Sequence, residues 1–218
     1  LELPIEVPAE HRDTDLHLDP SFAEYPHCSD YTYGDPHGVK ASPLLDLAAG
    51  DIVCFYATLW TVEHGSADAR APVELPDVVG TADPAAPDSG SADWRPPEWG
   101  AFVIGHFELA VDPVSPDGRD ALSAAERDRF ATNAHLKRET MDARVLLAGD
   151  PDGSALYDRA VPLSRTSGGT DAGSLVTDHS SDSGRGPWWR RPLRFDDAGA
   201  AAVARAVSRV RAGDDYQP

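Results

Sequence analysis

The sequence predicts an α+β fold, a small mixed sheet or barrel with flanking helices and long acidic loops. Three observations carry that expectation. Gly50-Asp51 opens a run from Ile52 to Trp60 that is rich in β-branched and aromatic residues and free of Pro and Gly. Such a run reads as a strand buried on both faces. A second run, Ala101 to Leu109, is its natural partner. Helix signals then fall between strand signals at irregular spacing, which is the pattern of α+β rather than of a doubly wound sheet.

Taken in order, residues 1–16 alternate apolar with acidic and carry two prolines, which suits a short strand or extended arm. His17 to Phe22 and Tyr31 to Pro36 are polar, aromatic and turn-rich, with Asp-Pro in each. They read as ordered loops, and loops of that chemistry are where binding sites tend to lie. Ser42-Pro43 predicts a short helix capped by Ser42, delivering the chain to the turn at Gly50-Asp51. Gly there tolerates positive φ, and Asp can bond its own backbone. Residues 62–99 read as loop, with a flexible acidic insertion at 76–93 closed by Trp94 and Trp99.

Ser123 and Glu126 form a capping box for a helix running to about Asn133. Strands are expected at 143–148 and 155–163, followed by a second flexible insertion at 165–187 that Trp188-Trp189-Arg190-Arg191 interrupts. A helix over 196–212 has apolar residues at 203, 206, 207 and 210, one buried stripe. A chain of 218 residues holds one domain by default. It begins at Leu1 rather than Met, which points to a missing upstream piece.

Charge is the loudest feature of the composition. Nineteen basic against 37 acidic side chains give −18, and Lys40 and Lys137 are the only lysines. Scarce Lys with abundant Asp is the composition of a salt-loving archaeal proteome. At molar salt the screening length falls to about 3 Å, so the net charge says nothing about partners. The two cysteines, Cys28 and Cys54, are too few for a disulfide framework, and Cys54 lies in the first strand. A reduced, cytoplasmic protein is expected, with no membrane partner and no apolar run long enough to cross a bilayer.

Several chemistries lack their residues. No zinc-finger spacing and no His-Glu-x-x-His is present, so no metal is expected. There is no phosphate-binding Gly-rich loop and no serine nucleophile elbow, and no cofactor is implied. What remains is the cluster Asn133, His135, Lys137 and Arg138. Asn both donates and accepts, His titrates near neutrality, and Lys and Arg suit a phosphate. The plain alternative is a solvated helix terminus whose basic side chains complement the dipole. Tyr31, Tyr33, Tyr56, Trp60, Trp188 and Trp189 are candidate stacking groups for a base. Core packing is the bland explanation for most aromatics, and the two indoles set in a polar loop stand apart from it.

The order of these segments resembles a known family. His17-Leu18-Asp19-Pro20-Ser21-Phe22, Tyr31-Thr32-Tyr33-Gly34-Asp35, Gly50 to Tyr56, Phe102 to Phe107, and Asn133-Ala134-His135-Leu136-Lys137-Arg138, with Ser164 and Trp188, are similar to the third nucleotide modification-associated domain family. The likeness covers most of the chain outside its acidic insertions. Members of that family usually carry a further N-terminal strand. A second resemblance, resting on the two strands, is to PUA-like barrels that read modified bases in aromatic pockets.

The family resemblance implies binding of a nucleotide or modified base within a DNA or RNA modification system. In that reading Tyr33, Asp35, Tyr56, Asn133, His135, Lys137, Arg138 and Trp188 form the nucleotide site, with aromatics stacking the base and Arg138 or Lys137 at phosphate. A second reading is an enzyme with His17 or His135 as acid/base and Asp19 or Asp35 as its orienting carboxylate. A third is a structural or interaction domain. Convergence of His17, Asp35, Tyr56, His135 and Arg138 on one pocket is the expectation that separates them.

Overall fold

A computed structural model describes residues 19–26, 28–60, 96–136, 138 and 141–212, with side chains to residue 209. The elements are β1 (Thr32–Asp35), α1 (Gly38–Leu45), β2 (Ile52–Trp60), β3 (Trp99–Glu108), α2 (Ala124–Arg129), β4 (Val145–Ala148), β5 (Ala155–Pro162), α3 (Ser174–Thr177) and α4 (Asp197–Ala212). Short 3₁₀ turns occupy Pro116–Ala121 and Trp188–Arg190. The fold is α+β. Every strand pair among the described residues is antiparallel rather than mixed: a sheet in the order β2-β3-β5 and a pair β1-β4. They do not close into a barrel.

The Gly50-Asp51 turn forms as its chemistry dictates. Gly50 has φ +88°, and the Asp51 carboxylate accepts from Ala48 N at 2.8 Å. Reciprocal bonds, Gly50 N to Leu109 O (2.7 Å) and Leu109 N to Asp51 O (2.9 Å), fasten the turn to the end of β3. β3 is the central strand, with Ala101 and Phe107 fully buried. β2 departs from the expectation of two buried faces: Ile52, Leu59 and Trp60 are exposed. Among the described residues it pairs with β3 alone, and an edge strand is only half covered.

Past Glu108 the chain leaves one sheet and joins the other. Leu109 bridges to Gly149, and Val114 and Leu146 exchange both backbone bonds at 2.9 and 2.8 Å. β4 is thus hydrogen-bonded on both sides, by β1 and by this tail. All four of its residues are buried, which explains its unbroken Val-Leu-Leu-Ala sequence.

Three helices differ from their sequence signals. α1 starts four residues before Ser42, because the Asp35 carboxylate accepts from His37 N (2.6 Å) and sets the entry; Pro43 sits inside and the helix ends two residues later. The Ser123 and Glu126 box closes in both directions, but α2 ends at Arg129. There the chain turns so that Phe130 can pack with Val114, Leu146 and Ala148. The Ser/Gly/Asp-rich stretch 165–187 contains α3, whose Leu175 and Val176 are buried with Trp188, Ala202, Val203 and Ala206 against β3 and β5. The insertion at 76–93 lies outside the described residues. Cys54 packs beside that core, and burial pushes its thiol up to about 11.

Candidate functional site

After α2 the chain makes consecutive turns, and Asn133 sets the path of the backbone there. Its side-chain amide donates to Thr32 Oγ1 at 3.2 Å, while its oxygen accepts from His135 N at 2.9 Å. One buried amide therefore ties β1 to the backbone that presents His135. The imidazole lies against β1 at Gly34. A Cβ at that position would stand 2.5 Å from His135 Cδ2, closer than such atoms approach, so Gly34 is what allows the ring in.

Both ring nitrogens of His135 meet carboxylates. Nε2 is 2.9 Å from Asp19 Oδ2, and Nδ1 is 2.5 Å from Asp142 Oδ1. Asp19 is itself held by Gly34 N, at 3.0 and 3.1 Å to its two oxygens. The second oxygen of Asp142 takes the Arg138 guanidinium, four residues back. The result is a file of alternating charge-bearing groups: Asp19, His135, Asp142, Arg138. Ionised carboxylates only accept, so the file is fully bonded when both ring nitrogens carry protons.

Burial falls along the file. The Asp19 and His135 side chains are 7% and 3% exposed, and Asp142 and Arg138 are 40% and 45% exposed. The hydrogen bond from His135, helped by the Arg138 charge, holds the Asp142 carboxyl below its ordinary range. The inner end is a locked buried pair and the outer end is a guanidinium at the surface.

A second carboxylate stands next to the first. Asp35 accepts from Tyr33 Oη at 2.5 Å and has Lys40 Nζ at 3.9 Å. Burial, then the bond to Asp35 and the charges of Asp35 and Asp19, raise the Tyr33 hydroxyl well above its usual range, so it remains a donor. Arg144 N donates to Asp35 O (2.7 Å), which brings another exposed cation to the end of β1. Lys40, Arg138 and Arg144 thus rim the site in a strongly acidic chain.

The sequence-predicted residues therefore divide. Asp19, Tyr33, Asp35, Asn133, His135 and Arg138 come together around β1. Tyr56 and Trp188 belong elsewhere: both join the core between the larger sheet and α4, with Tyr56 Oη on Arg191 O (2.8 Å) and Trp188 Nε1 on Thr170 O (2.9 Å). Trp188 is wholly buried. His17 and Lys137 lie outside the described residues. Sequence reasoning missed Gly34 as the floor of the imidazole and Asp142 as its second partner; the spacing of Asp142 four residues after Arg138 was the available signal for the latter.

Among the described residues no group of three or more His, Cys, Asp or Glu is placed to hold a metal ion. A groove of about 480 Å³ runs between residues 110–115 and α2, away from the candidate residues. The model of nucleotide modification associated domain 3 matches residues 2–211. The chain belongs to that family. Neither the curated proteins nor the solved structures give a significant match. Membership of nucleotide modification associated domain 3 ties the chain to base-modification systems and fits a nucleotide or nucleic acid as partner. Among the described residues of this domain no helix is long and apolar enough to cross a membrane.

Proposed function

We propose that this domain binds a nucleotide or a modified nucleic-acid base, with phosphate at Arg138 or Lys137 and the base on the side of Tyr33 and Asp35. The observation that carries the reading is the file from Asp19 to Arg138. A buried imidazole engaged at both nitrogens is a fixture, and what it fixes, through Asp142, is a half-exposed guanidinium. A planar fork held in place is suited to an anion of matching geometry. Lys40 and Arg144 add positive potential at the same edge.

The test is a titration of wild type and Arg138→Ala with a panel of normal and modified nucleotides. Loss of a charge-assisted contact should weaken binding about tenfold to a hundredfold. Because Arg138 is half-exposed, the unfolding midpoint should barely move. Equal binding by the variant, or none by wild type, removes the support for this reading, and a variant that unfolds favours a structural role for the segment.

An enzyme is the second reading, and the His135–Asp19 pair at 2.9 Å is what favours it. A buried ring without an outward nitrogen is a poor acid/base, which places this reading second. Incubating the same nucleotide panel with protein and seeking products by mass spectrometry separates the two. Turnover that disappears in Asp19→Asn while binding persists would put catalysis first.

A further inference from the structure

Far from His135 in the sequence, the end of the β2-β3 ladder collects indoles. Trp60 and Trp99 are direct partners in the antiparallel register, so their side chains emerge side by side on one face. Trp99 packs edge-on against Trp189, with ring centroids 5.2 Å apart. Its ring also rests on Gly169, where a Cβ would come within 2.5 Å of Trp99 Cδ2. Trp189 meets the buried Trp188 at 6.0 Å and 90°. Three rings are thus braced from behind, whereas the indole of Trp60 is 72% exposed.

The loop that supplies Trp189 also supplies charge. Residues 185–194 carry Arg185, Arg190, Arg191 and Arg194 and no carboxylate, in a chain with 37 acidic side chains. Arg191 is paired with Asp182, and Arg194 lies 3.7 Å from Asp46. Arg185 and Arg190 are exposed and make no ion pair among the described residues. Glu98, next to Trp99 in sequence, is the nearest carboxylate along β3. An exposed indole backed by fixed rings, with arginines in the loop that supplies one of those rings, matches unstacked bases strung on phosphates.

We infer that the Trp60, Trp99 and Trp189 face, with Arg190 and Arg185 beside it, is a stacking platform for single-stranded nucleic acid, separate from the Arg138 site. The inference rests on the nucleic-acid reading above but uses none of its residues. Stacking would place a base on Trp60, and the arginines would meet the neighbouring phosphates, without sequence preference.

The experiment measures fluorescence anisotropy of a fluorescein-labelled twelve-nucleotide oligothymidylate at several potassium chloride concentrations, with mononucleotide titration run in parallel. Wild type should bind the strand. Trp60→Ala should weaken that binding about tenfold, the scale of one stacked base, while Trp60→Phe stays within about twofold. Arg190→Glu should weaken it and flatten its salt dependence. Mononucleotide affinity should be unchanged in all three, and melting curves should overlay because both positions are exposed. Wild type that binds mononucleotides but no strand would overturn the platform and leave the Arg138 site standing. Strand binding indifferent to Trp60→Ala and Arg190→Glu would also overturn it. So would a sedimentation result in which Trp60→Ala abolishes self-association, since the face would then join copies of this chain.

Discussion

The His135 file and the tryptophan face solve opposite problems with costly side chains. Around His135 each buried polar atom has a partner, and no buried side-chain nitrogen or oxygen among the described residues is left unbonded. At the end of β2 a large apolar ring beside Trp99 is left 72% exposed. The inner end of the first arrangement is complete in itself, so it holds β1, the turn after α2 and the Asp19 segment in one geometry and steadies the half-exposed Arg138 end. The second is incomplete, and an exposed indole near arginines that make no ion pair among the described residues is an invitation to a ligand. Contact is therefore left to the outer, Arg138 end of the file, since His135 is almost sealed from water.

That contrast breaks first at Asp19. Asp19→Ala removes the more buried of the two carboxylates on the His135 ring and also strands Gly34 N. The expected loss is about 3–5 kcal/mol, or roughly 10 °C in the unfolding midpoint for a chain of this size. Asp19→Asn, which keeps an acceptor for Gly34, should lose less. A calorimetric loss below about 1 kcal/mol would show that the file is decoration.

Gly34→Ala is the next largest effect. The added methyl meets His135 Cδ2, and overpacking of this kind costs about 1–3 kcal/mol. Combining it with His135→Ala should return part of that loss, a non-additivity that chemical denaturation can measure. Additive losses would place the ring elsewhere.

The smallest effect is on acid stability. The folded-state carboxyl of Asp142 lies below its unfolded value of about 3.9. Its contribution is therefore present above about pH 4 and disappears as the pH falls through the lowered folded value. Melting wild type and Asp142→Asn from about pH 6 down to pH 2 should show a constant difference that closes in acid. The gap will be modest, because the group is 40% exposed and salt screens it. A gap that widens in acid would mean the carboxyl is raised instead.

Legibility in the sequence followed the range of the interaction. The Gly50-Asp51 turn, the Ser123 box and the strands around Phe55 and Phe102 depend on neighbours in the chain, and all formed near their predicted places. β2's exposed face depends on a distant pairing, so local pattern misplaced it. The early start of α1 turns on the Asp35 side chain two residues before its cap, a local contact that the Ser42-Pro43 signal outweighed. Asn133, His135 and Arg138 stood out because such residue types rarely cluster in this composition. Asp142 did not, being one carboxylate among 37 acidic groups. Trp188 and Trp189 were read together, but adjacent side chains leave a turn in different directions. The core that swallows Trp188 is built partly from Leu175 and Val176, hidden inside a stretch whose average composition reads as linker.

Cys54 has a practical consequence. With burial pushing its thiol up to about 11, Cys54 carries little of the reactive thiolate at neutral pH. The other cysteine, Cys28, is partly exposed and its backbone N–H donates to Tyr25 O, in the turn after Phe22. A maleimide dye added near pH 7 is thereby directed to one position without any engineering. The molecule comes with its own attachment point for a spectroscopic reporter, located on the segment that Asp19 fastens down.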